Sequence, residues 1–154
     1  MKIAPGARFP EMSLPDLDGV LRPLEEAWSR RPALVAVGHS DCRTSVLTLP
    51  YLDRIIARAP EPSVVLVLQD TAAEAREAVR GLALPALLEP EPYPLAQALG
   101  LQTVPTLVLI ETSGLVAFVS EGFRRDDLES FATRLGVSGS LFTPEDEAPR
   151  LRPG

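Results

Sequence analysis

Two short runs without a polar interruption, Ala33–Gly38 (ALVAVG) and 63–68 (SVVLVL), bracket a stretch of helical periodicity. Runs this short and this apolar suit strands covered on both faces. Between them, Leu52, Ile55, Ile56 and Ala59 recur at the i, i+3, i+4, i+7 spacing of a helix packed on a sheet. The pattern predicts a strand, a helix over 43–59 and a second strand. Pro50 falls inside that helix and is expected to kink it, because proline withdraws one backbone donor.

The rest of the chain adds elements around this unit. Upstream, Pro15-Asp16-Leu17-Asp18-Gly19 is a turn between the apolar pieces 12–14 and 20–24, which predicts a hairpin or hooked loop. Downstream, Thr71-x-x-Glu74 is a capping-box pattern opening a helix to about Gly81, with Ala75, Ala78, Val79 and Leu82 as its inner face. Residues 86–88 read as a brief strand. Pro94 and Gly100 bracket a short helix. Thr106–Ile110 and 115–120 are strands separated by Glu111-Thr112-Ser113-Gly114, a loop short enough to make the pair antiparallel. A last helix over 125–135 presents Leu128, Phe131, Ala132 and Leu135 at helical spacing. The expected fold is α/β, a central mixed sheet with helices on both faces. One domain over 1–136 is expected, followed by a loosely held tail, 137–154, docked through Leu141 and Phe142.

Composition narrows the function classes. A length of 154 residues with 45% hydrophobic residues suffices for one sizeable core. The net charge of −6 argues against nucleic-acid or anionic-membrane partners, which need a basic face. No apolar run is long enough to cross a bilayer. The opening MKIAPGARFP has no apolar stretch before a cleavage site, so a cytoplasmic location is expected. Cys42 and His39 are the only residues of their types, which rules out an intramolecular disulfide, a thiolate cluster and a multi-histidine metal site. No cofactor and no metal are expected.

Several local motifs, taken in order, resemble the thioredoxin-like redoxins of the TlpA and alkyl-hydroperoxide-reductase/thiol-specific-antioxidant group. The segment Phe9-Pro10-Glu11-Met12-Ser13-Leu14-Pro15-Asp16-Leu17-Asp18-Gly19 is similar to that group's lead-in. The strand Ala33–Gly38 is followed by Cys42-Arg43-Thr44-Ser45, where the group has Cys-x-x-Cys. Pro50 stands at the spacing of the proline in the group's active-site helix, and Thr103-Val104-Pro105-Thr106 resembles its cis-proline loop. The resemblance spans about Pro5 to Leu135 and implies a thioredoxin-like fold and a thiol at the attacking position. Three departures bear on function. Ser45 replaces the second cysteine, Asp41 stands where a tryptophan usually precedes the first, and His39 and Val35 occupy the Thr/Ser and Pro positions of the peroxiredoxin branch.

In such a fold, Cys42 would sit at a helix N-terminus, where free N–H groups and the helix dipole favour a thiolate. Arg43 would favour ionisation and Asp41 oppose it. Ser45, one turn on, is able to bond the thiolate or a backbone donor, but not to resolve a disulfide. These residues predict a monothiol exchanger in which Cys42 forms mixed disulfides and an external thiol releases them. The partner would be a thiol- or disulfide-bearing protein, or a small thiol such as glutathione. Cys42 and Ser45 are the candidate catalytic pair. Asp41, Arg43, Thr44, Val104 and Pro105 are the candidate substrate groove, where extended backbone would hold a partner strand. His39 is a candidate tuning residue. The alternatives are a redox-inactive binding module on the same fold and a one-cysteine peroxidase.

Overall fold

The computed structural model describes residues 2–154. At its centre lies a five-stranded sheet in the order β5-β4-β3-β6-β7, built from Ala86–Leu88 (β5), Val64–Leu68 (β4), Ala33–Gly38 (β3), Thr106–Ile110 (β6) and Val116–Glu121 (β7). β3, β4 and β5 run parallel, while β6 pairs antiparallel with both β3 and β7. Arg43–Arg58 (α1) is the crossover between β3 and β4. Two antiparallel strands, Ser13–Pro15 (β1) and Leu21–Pro23 (β2), form the expected N-terminal hairpin. Ala72–Ala78 (α2), Pro94–Leu99 (α3) and Arg125–Arg134 (α4) complete the helices.

The alternation within β3 explains why its sequence is apolar throughout. Leu34 and Ala36 face one core, with Leu52 and Ile55 of α1 and Leu128 and Phe131 of α4. Ala33, Val35 and Val37 face another, with Phe9, Trp28 and Leu95 and Leu99 of α3. Successive side chains of a strand point to opposite faces, so a strand sandwiched between helices has no position left for a polar residue. The mixed sheet with helices on both faces is therefore the observed architecture.

The capping box at α2 is formed: Glu74 N–H donates to Thr71 Oγ1 at 3.2 Å and Thr71 N–H to Glu74 Oε1 at 2.9 Å. The helix is shorter than its periodicity predicts, ending at Ala78 instead of near Gly81. Of its inner residues only Ala75 is buried; Ala78, Val79 and Leu82 pack partly against the core. No helix among the described residues is long and apolar enough to cross a membrane.

Residues 137–148 are held more firmly than a loose tail, and the expected docking through Leu141 and Phe142 is present. Val137, Leu141, Phe142 and Ala148 are buried in the same core as α1 and α4. Phe142 lies 4.4 Å, centroid to centroid, from the Tyr51 ring. Glu129 of α4 takes the N–H groups of Leu141 (2.8 Å) and Phe142 (3.0 Å), and Arg54 of α1 grips Asp146 through both guanidinium nitrogens at 2.8 and 2.9 Å. Two further short strands, Phe123–Arg124 (β8) and Leu151–Arg152 (β9), then pair antiparallel. The Gly, Pro and charge content of this stretch suggested looseness. Its few apolar residues instead fill the gap between two helices, and its backbone groups find charged partners.

Candidate functional site

The C-terminal ends of β3 and β4 meet at one edge of the sheet, where Gly38 and Leu68 are partners in register. Both strands then break into polar loops. Ser40 donates its N–H (3.0 Å) and its hydroxyl (2.5 Å) to the carboxylate of Asp70, a side chain with 0% exposure. That pairing ties the loop after β3 to the loop after β4 and directs the chain into α1. Sequence reasoning passed over Asp70. Its signal was position: it follows a buried parallel strand next to the one that leads to Cys42.

Cys42 is the N-cap residue of α1, with extended backbone at φ −89° and ψ 113°. The Ser45 N–H donates to Cys42 Sγ at 3.4 Å, so the sulfur occupies the place of a capping oxygen. The thiol in turn donates to the carbonyl of Val104 at 3.5 Å. The Val104–Pro105 peptide bond is cis. Cys42 is half-buried, whereas Asp41 and Arg43 on either side are exposed. Burial pushes the thiol pKa up, but hydrogen bonds from Ser45 (hydroxyl and backbone) and from Thr44 outweigh it, and the net displacement is below the ordinary cysteine value. The conflict between Arg43 and Asp41 is thus overshadowed by the hydrogen bonds of the first helical turn.

Ser45 is buried, and its oxygen also accepts the N–H of His39 at 3.2 Å. A hydroxyl that accepts from His39 still has its own proton to donate. The site leaves little room here: a Cβ placed on Gly38 would lie 3.1 Å from Ser45 Oγ. The His39 ring bonds within its own loop. Its Nδ1 accepts the Asp41 N–H at 3.0 Å and lies 3.8 Å from Asp70. Thr44 is buried, and its hydroxyl donates to Pro153 O at 2.7 Å. The structure therefore brings Cys42, Thr44, Ser45, Val104 and Pro105 together, with Asp41, Arg43 and His39 at the rim. Among the described residues, no cluster of three or more His, Cys, Asp or Glu side chains is arranged to hold a metal ion.

The arrangement of the β5-β4-β3-β6-β7 sheet and its flanking helices is shared with solved structures. A Chlorobium tepidum protein assigned as the thiol:disulfide interchange protein DsbE superposes with TM-score 0.75 at 20% identity, over 87% of this chain and 96% of that one. The fold is thioredoxin-like. The protein dsbF of Mycobacterium tuberculosis gives TM-score 0.69 at 22% identity, over 80% of this chain and 94% of its own. The thioredoxin domain of a thiol-disulfide oxidoreductase from Bacteroides vulgatus gives 0.73 at 16%, over 86% and 97%. No family model matches the sequence, and no curated protein is significantly similar to it. The chain thus shares a thioredoxin-like fold with these proteins and carries one cysteine, Cys42.

Proposed function

We propose that this protein is a monothiol thiol–disulfide exchanger in which Cys42 is the attacking group. The reading is carried by one observation. The single thiol caps α1 beside the Val104–Pro105 loop, and its hydrogen bonds hold its pKa below the ordinary value. The Cys42 thiolate attacks one sulfur of a partner disulfide. A Cys42–partner disulfide forms, and the other partner sulfur leaves as a thiolate. Ser45 has no sulfur with which to reverse this step, so the mixed disulfide persists until an external thiolate attacks it and releases Cys42. No net oxidation occurs at Cys42 over the cycle. Suitable substrates are disulfide-bearing proteins or a small disulfide such as that of glutathione.

The folded protein incubated with glutathione disulfide at neutral pH should gain one glutathionyl adduct, lost on addition of a dithiol. Cys42→Ser should gain none. A folded wild-type chain that stays unmodified under conditions that modify the unfolded chain would overturn exchange and leave a binding role for the fold.

A further inference from the structure

We infer that residues 151–154 form an intramolecular strap seated in the Cys42–Pro105 groove, which must lift before an extended peptide can reach the thiol. The first observation is where the segment runs. β9 pairs with β8, and Arg125 N–H donates to Arg150 O at 3.0 Å, which lays the next residues across the start of α1. There Thr44 Oγ1 donates to Pro153 O at 2.7 Å and accepts from Arg152 Nε at 3.1 Å. Thr44 is the second residue after Cys42, so its hydroxyl is spent on the strap.

The second observation is how closely backbone meets backbone. Gly122 has φ +74°, and a Cβ placed on it would come within 2.8 Å of Arg152 O and 3.2 Å of Gly154 N. Gly122 N–H itself donates to Pro105 O at 2.8 Å, so this floor belongs to the cis-proline loop. Gly154 lies against Val104 O and Thr103 Oγ1 with no room for any side chain. The Val104 carbonyl is the group to which the Cys42 thiol donates. One carbonyl therefore touches both the thiol and the strap.

The strap itself is weakly anchored. Residues 151–154 are all exposed, in contrast to the buried Leu141, Phe142 and Ala148 that fasten the preceding stretch. Its hold is a two-residue strand pairing and the two Thr44 hydrogen bonds. Such a segment opens locally without disturbing the core. Small reagents reach the half-buried thiol past it, while an extended peptide competes with it for the same backbone surface. As regulation of the proposed exchange this rests on that reading, but access to Cys42 is testable without it.

The test compares the full-length wild type with the double variant Arg152→Ala/Gly154→Leu. Arg152→Ala removes the donor to Thr44, and a side chain at position 154 cannot sit against Val104 O. Two maleimides read access to Cys42 without any disulfide chemistry: N-ethylmaleimide and a short extended peptide bearing a maleimide. The variant should react about tenfold faster with the peptide probe and less than twofold faster with N-ethylmaleimide, as expected when a strap loses one hydrogen bond and the fit of its last residue. An unchanged ratio of the two rates overturns the strap. An equal gain with both probes overturns it too, because that reports general loosening. A variant that gains with the peptide maleimide but forms no mixed disulfide keeps the strap and removes the exchange reading.

Discussion

The Ser45 hydroxyl oxygen accepts the backbone N–H of His39 at 3.2 Å, which fixes the loop between β3 and α1 in front of the Cys42 thiol. Ser45 is thus a structural partner of the loop and, through its own proton, a stabiliser of the thiolate. Ser45→Ala should raise the Cys42 pKa and slow its alkylation at neutral pH severalfold, on the order of the loss of one hydrogen bond to a charged group. The check is the pH dependence of iodoacetamide alkylation in wild type, variant and denatured chain. Wild type should ionise at lower pH than the denatured chain, and the variant should lie between them. Alkylation unchanged by the substitution would mean that helix N–H groups alone set the thiolate.

Leu141 has 0% exposure, so Leu141→Ala should lower stability by about 2–5 kcal/mol, the usual cost of emptying a core site. Denaturant unfolding measures it. A loosely held tail would lose less than about 0.5 kcal/mol on the same change.

The attachment of this segment should also weaken in acid. The Arg54 guanidinium beside Asp146, together with the Thr143 hydrogen bonds, holds that carboxyl well below the usual carboxylate range. Burial pushes Glu129 up, but the N–H groups of Leu141 and Phe142 outweigh it and lower its pKa. A carboxyl with a lowered folded pKa contributes stability that is complete above its unfolded pKa and is lost as pH falls towards the folded value. The melting temperature should therefore drop as pH falls below about 4. Asp146→Asn should flatten part of that drop while lowering the melting temperature at neutral pH. A variant whose acid profile matches the wild type would remove Asp146 from the account.

Much of the core was legible because apolar periodicity records burial directly. β3 coincides with the run ALVAVG, and β4 lies within SVVLVL. The capping box at Thr71 formed because a side chain three residues on satisfies a local donor, a matter of a few angstroms of chain. α2 ended early because Ala78, Val79 and Leu82 meet only the fringe of the core, and propensity alone does not extend a helix there. Asp70 was invisible for a different reason. Its partner Ser40 is thirty positions away in sequence, and only the parallel pairing of β3 and β4 sets the two loops side by side.

The order of the five central strands and four helices, one thiol at a helix start and the lack of a second cysteine in these 154 residues were readable without the fold. Those are properties of residue type and local spacing, and no packing is needed to read them. Only the folded arrangement settled which hydrogen bonds lower the Cys42 pKa, and that Val137, Leu141, Phe142 and Ala148 belong to the core. It also decided that Gly122 and Gly154 bring main chain against the cis-proline loop. Each of these joins residues far apart in the chain, and their meeting depends on the register of the sheet and the angle at which α1 and α4 lie upon it.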